Sequence, residues 1–195
     1  MSGTRKFTKH RVFHFILIKL TNGKKFRIIV DMEQQLFLEK LHIQPKSCAF
    51  TGHRVLEDDF SLRKLRREIK NAVEKGVKVF YTGMAKGFDL IAAEEVLKIK
   101  KSYPEVKIEA CIPCYEQEKN FFEEDKKRYA KILKNADKIV YVSEYYFNGC
   151  MQKRDRYMAD RADMLITYCK KETGGTAYTV NYFQKKYKGK EIVFL

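Results

Sequence analysis

With 195 residues, 45% of them hydrophobic and 13% aromatic against 10 Gly and 3 Pro, the chain has the composition of a folded domain with a sizeable core, which excludes a disordered or collagen-like protein. A formal net charge of +15 fits nucleic acid or another anionic partner, although lysines that merely solvate helix surfaces give the same total. No apolar run approaches the roughly 18 residues of a membrane-spanning helix. The opening segment carries His14 and Lys19 in its apolar part and no small-residue cleavage site, so it reads as a strand of a cytoplasmic protein with no membrane partner.

The first 46 residues hold about 10 basic and 3 acidic side chains, a disproportionate share of the positive charge. "RVFHFILIKL" and "KKFRIIVD" are rich in β-branched and aromatic residues and flank Asn22-Gly23, a strong hairpin signal because both residues tolerate positive φ. Leu36, Leu38 and Leu41 then suggest a short helix within 32–43, and Pro45 punctuates the junction. Residues 1–46 are thus expected to form a basic ββα appendage, a candidate contact for nucleic acid, for a partner or for a second copy of the chain.

From residue 47 strands and helices alternate. Short apolar strands are expected at 48–52, 77–83, 106–112, 138–142, 164–169 and 191–195, with the few polar alternations of a sheet covered on both faces. Helical stripes run through 59–75, with Gly76 as the stop, and through 88–102 before Pro104, then 116–135, 150–161 and 176–187. The pattern specifies an α/β fold with a doubly wound, mostly parallel sheet and right-handed crossovers.

Five cysteines (48, 111, 114, 150, 169) form no disulfide spacing. Cys111-Ile-Pro-Cys114 is formally C-x-x-C, but no second ligand pair accompanies it, so no metal is expected and both read as ordinary cysteines where a strand ends and a loop begins.

Ligands of doubly wound sheets bind beyond the carboxyl ends of the strands. The loops falling at that edge hold Gly52, Gly83, Gly87, Gly174 and Gly175, half of the chain's glycines. A phosphate needs backbone N–H groups aimed at it and no Cβ in the way, and a following helix adds its positive end. "TGMAKGFD" has that form, with Lys86 as a point charge and Asp89 as an acceptor for ribose hydroxyls or a helix cap. "ETGGTAY" repeats it, with Thr173 or Thr176 as a hydroxyl donor. In "CAFTGHR", Thr51 and Gly52 end the strand, Arg54 can grip a phosphate, and His53 can hydrogen-bond a ribose or base or move a proton. Their bland alternatives are an Arg54 pair with Glu57 or Asp58 and a His53 packed under a loop. Tyr145, Tyr146 and Phe147 near Lys153, Arg154 and Arg156 are candidates for base stacking, but are expected to flank a helix as core aromatics. G-x-x-x-x-G-K-[ST], G-x-G-x-x-G and G-x-S-x-G do not occur, so no P-loop, dinucleotide or α/β-hydrolase chemistry is indicated and no cofactor is expected.

Together "CAFTGHR", "GMAKGFDLIAAEE", "PCYEQEKNF", "YMADRADMLITY" and "TGGTAYTVNY" resemble, in this order, the YpsA-like branch of the SLOG superfamily, which groups DprA/Smf and LOG proteins on a Rossmann-like fold. The resemblance covers residues 47–195 and implies a nucleotide-like ligand held by Gly83, Gly87, Asp89 and Gly174-Gly175-Thr176; Tyr115 of the third motif is a further ligand-binding candidate, and a sensor or regulatory module is the first reading. It leaves two other activities open, N-glycosidic hydrolysis of a nucleotide and single-stranded nucleic-acid binding. The hydrolase branch carries P-G-G-x-G-T-x-x-E, whereas here Thr179 falls where the glutamate would. A catalytic carboxylate must then come from Asp89, Glu94 or Glu116, with His53 a further candidate.

Overall fold

The computed structural model describes residues 46–195 and the strands β1 (Phe13–Lys19) and β2 (Lys25–Asp31). The chain falls into two compact units, Met1–Ile43 and Gln44–Leu195. In the first, β1 and β2 pair antiparallel from Phe13↔Asp31 to Lys19↔Lys25, as alternating β-branched and aromatic residues favour. The expected turn at Asn22-Gly23 and the helix within 32–43 lie outside the described residues.

The second unit is a Rossmann-like α/β domain built on a six-stranded, all-parallel sheet. Its strands are β3 (Ser47–Gly52), β4 (Val79–Thr82), β5 (Lys107–Ile112), β6 (Lys138–Tyr141), β7 (Met164–Tyr168) and β8 (Glu191–Phe194), in spatial order β6-β5-β4-β3-β7-β8. Helices α1 (Leu62–Glu74), α2 (Phe88–Ile99), α3 (Glu123–Asn135), α4 (Cys150–Arg161) and α5 (Gly175–Lys186) connect them.

Strand alternation divides the core between the two faces. Cys48, Phe50, Ile108, Ala110, Ile112 and Ile166 point to one side, where Leu65 and Ile69 of α1, Leu90 and Val96 of α2 and Ile132 of α3 cover them. Ala49, Cys111 and Leu165 point to the other, beneath Met158 and Ala159 of α4 and Val180 and Phe183 of α5. Each fully buried side chain of this size contributes about 1.5–3 kcal/mol. The chain leaves β3 toward β4 over the first face and leaves β7 toward β8 over the second. The β3–β7 boundary is therefore the topological switch point, where a crevice opens.

Local signals set the helix limits. Ser61 caps α1 by accepting from Lys64 N at 3.2 Å, and Gly76 at φ +100° ends its last turn. The third helix begins at Glu123, seven residues later than the apolar stripe suggests. Residues 116–122 instead form turns, with Glu116 at φ +58° and a 2.8 Å bond from Phe121 N to Glu118 O. Three acids in its first turn, Glu123, Glu124 and Asp125, suit the positive helix end. Among the described residues no helix is long and apolar enough to cross a membrane.

Candidate functional site

At the switch point lies a cavity of about 260 Å³. Thr51, Gly52, His53 and Arg54 from β3 and its loop line one side, and Asp89 the floor. Arg154 and Asp155 of α4, with Gly175 and Thr176 at the start of α5, complete the wall. Seven of the residues singled out in the sequence converge here. Lys86, Tyr115 and Glu116 line an adjoining cavity of about 430 Å³, which shares Arg54, Ala85 and Met151 with the first.

His53 rivets three loops together. Its Nε2 accepts from Lys170 N at 2.8 Å, after β7, and its carbonyl accepts from Phe88 N at 3.1 Å, at the start of α2. Burial first, then Lys171, holds its pKa below the ordinary histidine value, so the ring is neutral at pH 7 with its proton on Nδ1. The engaged Nε2 gives His53 a positioning role. Neither Glu57 nor Asp58 forms an ion pair among the described residues, and Asp59 accepts from Tyr168 Oη at 2.7 Å and pairs with Lys170. Arg54 itself is exposed and enters no ion pair among the described residues, so its guanidinium stands free at the mouth of both cavities.

In the β4–α2 loop, read from the sequence as a phosphate cradle, three amides are engaged inside the protein: Met84 N donates to Thr82 Oγ1 at 3.3 Å, Ala85 N to Asp89 Oδ2 at 3.4 Å and Phe88 N to His53 O. The glycines answer to packing instead. A Cβ on Gly83 would sit 2.7 Å from Asp89 Oδ2 and closer still to the Arg154 guanidinium, and one on Gly52 would fall within the Phe88 ring. Gly87 combines φ +83° with a Cβ position 2.8 Å from Arg54 Cα. Gly174, at φ +95°, and Gly175 differ, because a Cβ on either meets nothing within 4 Å. Gly87→Ala is therefore expected to lower the melting temperature more than Gly174→Ala does. Both incur the left-handed strain of about 1–3 kcal/mol, and only the first drives a methyl into backbone. Equal melting temperatures would show that the loop yields freely around residue 87.

Arg154, which the sequence offers only as a basic neighbour of Tyr145–Phe147, and Asp155, which it does not single out, are the chemical centre of the wall. Arg154 is 5% exposed, donates through Nε to Asp155 Oδ1 at 2.7 Å and through Nη1 to the Gly83 carbonyl. Asp89 beneath it is equally buried, and its Oδ1 has no partner among the described residues. Burial pushes the Asp89 carboxyl up to about 7, against the pull of Arg154 and with a push from Asp155.

Two sequence candidates do not reach the site as carboxylates free for catalysis. Glu94 accepts from Arg128 at 2.8 and 3.0 Å on the outer side of α2, because its helical position faces α3 rather than the loops. Glu116 projects into solvent at the rim of the larger cavity, 3.3 Å from Lys119. Tyr145 and Tyr146, expected in the core, are 77% and 72% exposed, and Phe147 is partly exposed. The residues around α4's start leave that loop on the surface. Cys111 and Cys114 are both buried free thiols, and burial pushes the Cys111 thiol up to about 12, far from a redox thiolate.

A doubly wound, all-parallel sheet covered by helices on both faces defines a Rossmann-like domain. The model of the YspA SLOG family, YpsA, matches residues 60–194, and the chain belongs to this family. It is 27% identical over 154 residues to the UPF0398 protein YpsA of Bacillus subtilis, covering 72% of this chain and 86% of that protein. Over 142 residues it is 32% identical to the SPbeta prophage-derived protein YoqJ of the same organism, covering 66% and 83%. Among solved structures, DNA processing protein A (DprA) of Streptococcus pneumoniae superposes with a TM-score of 0.56 at 19% identity, over 76% of this chain and 49% of that one. DprA of Helicobacter pylori, whose structure was described for its single-stranded DNA binding mode, gives 0.55 at 20%, over 95% and 81%. These likenesses establish the fold.

Proposed function

We propose that this protein binds a nucleotide or nucleotide-derived molecule at the switch-point cavity and acts as a ligand sensor or regulatory module. One observation carries the reading: Arg54, which has no ion-pair partner among the described residues, lines the same cavity as a helix start where Gly175 has no packing reason to be glycine. Gly52, Gly83 and Gly87 are required by the fold itself, whereas the space beside Gly175 is open to a ligand. A phosphate seated there meets the α5 N-terminus, the Thr176 hydroxyl and a guanidinium able to bind it bidentately. Sensing rather than turnover fits the carboxylates, since Glu94 is paired and Asp89 is buried under Arg154.

The test is thermal unfolding with nucleoside monophosphates, ADP-ribose, NAD and cyclic nucleotides. A ligand at 100 times its Kd adds about 2.7 kcal/mol of stability. The expected result is stabilisation by at least one compound, abolished in Arg54→Ala. Gly175→Ala should weaken binding while leaving the free protein's melting temperature unchanged or slightly higher, because alanine suits a helix better than glycine does. Indifference of the ligand response to both variants would remove the ligand from this cavity.

A second reading, single-stranded nucleic-acid binding, is favoured by the exposure of Tyr145 and Tyr146 and by the DNA-binding mode described for the Helicobacter pylori protein. It predicts oligonucleotide affinity that falls steeply with salt and survives Arg54→Ala.

A further inference from the structure

We propose that the 430 Å³ cavity is a nucleobase subsite, so that the ligand lies across Arg54 with its phosphate in the switch-point cavity and its base between Tyr115 and Tyr146. The inference rests on the nucleotide reading above and adds to it where the base goes. Arg54, Ala85 and Met151 are common to both cavities, so one small molecule can occupy the two without crossing a barrier of protein.

The chemistry of the two cavities differs in the way the two halves of a nucleotide differ. The smaller holds Arg54, Arg154 and a helix start. The larger is lined by the rings of Tyr115, Phe121 and Tyr146 with the amides of Gln117 and Asn120 among them. Tyr115 is 53% exposed, though its ring is braced by Tyr141 at a centroid distance of 4.6 Å. An exposed aromatic held in place in this way presents a stacking surface at little further entropic cost. Gln117 supplies an independent sign. Its Nε2 donates to Gly83 O at 3.1 Å, which fixes the amide and leaves Oε1 a buried acceptor without a donor among the described residues. An exocyclic amino group or ring N–H of a base supplies that donor, in the way carboxamides read base edges elsewhere. Arg54 and Lys86, the latter with Nζ 5.6 Å from the Phe122 ring centroid, keep the rim positive, while Lys119 pairs with Glu116.

Calorimetric titration of AMP and of ribose 5-phosphate, which lacks a base, tests the assignment. Tyr115→Ala and Tyr146→Ala should each weaken AMP by about 5- to 150-fold, the range of one lost base stack, and leave ribose 5-phosphate unchanged. Tyr146→Phe should retain AMP binding. Tyr145→Ala, exposed but not lining the cavity, should bind AMP as wild type does. The substituted side chains are at the surface, and unchanged melting temperatures of the free variants would confirm intact folds. AMP binding that depends on Arg54 but ignores both tyrosines would overturn the base subsite and leave the phosphate site standing. A loss in Tyr145→Ala equal to that in Tyr146→Ala would overturn it in favour of stacking on an open surface. Failure of wild type to bind either compound would overturn the nucleotide reading and the subsite with it.

Discussion

Arg154→Met is expected to lower stability by about 3–5 kcal/mol, a fall in melting temperature on the order of 10 °C for a domain of this size. Methionine keeps much of the length and apolar volume of the side chain, so the loss is not a cavity effect. It comes from what the guanidinium leaves behind: the Asp155 carboxylate that accepted from its Nε, a Gly83 carbonyl left with Gln117 Nε2 as its side-chain donor, and an Asp89 that loses the nearby positive charge. A buried carboxylate stripped of its partner costs more than any one exposed ion pair contributes. The double change Arg154→Met with Asp155→Leu should recover part of the loss, since removal of both members leaves no unpaired charge. Chemical denaturation of the three variants reads this directly. A single variant as stable as wild type would mean that water reaches the pair and that the cavity wall is soft.

The same helix shows where sequence reading works and where it stops. The order of strands and helices was legible from residue 47 onward because each apolar run is bounded by Gly, Pro or a capping residue, and local signals of that kind survive in any tertiary context. The basic run around Arg154 reads in sequence only as charge beside the Tyr145–Phe147 aromatics, and Asp155 carries no motif. Yet Met151, Arg154, Asp155 and Met158 follow the i, i+3, i+4, i+7 spacing of a buried stripe, and a charged pair on that stripe between two methionines signals a buried ion pair. Glu94 illustrates the opposite limit. It belongs to a site motif in sequence, but the rotation of α2 turns it toward Arg128 of α3, and no local pattern encodes which neighbour a helix will face. Sequence alone does not distinguish a glycine that admits a ligand from one that admits an arginine. Gly83 proved to be of the second kind and Gly175 has the room of the first.

Asp89→Asn is expected to change the pH dependence of stability more than any other single substitution in the site. The carboxyl titrates near 7 in the folded protein and near 3.8 when unfolded. Between those values the folded state holds a proton that the unfolded state has released, so wild-type stability from this group falls as pH rises and levels off above about 7. Asparagine has no such proton to lose, and its Oδ1 can still accept from Ala85 N. The stability difference between variant and wild type should therefore widen in the variant's favour by about 2–3 kcal/mol from pH 5 to pH 8 and then stay constant. His53, whose lowered pKa acts in the opposite sense by costing stability as pH falls, is present in both proteins and cancels from the difference. The same proton bears on ligand binding. A phosphate entering above Asp89 adds negative charge beside it, which raises the carboxyl pKa further, so anion binding near pH 7 should take up a fraction of a proton and weaken as pH rises. Calorimetry in buffers of different ionisation enthalpy would register that uptake in wild type and its loss in Asp89→Asn. Parallel stability curves for the two proteins from pH 5 to 8.5 would instead show that Arg154 holds Asp89 ionised throughout. Proton uptake on binding would then have to come from the ligand or from another group.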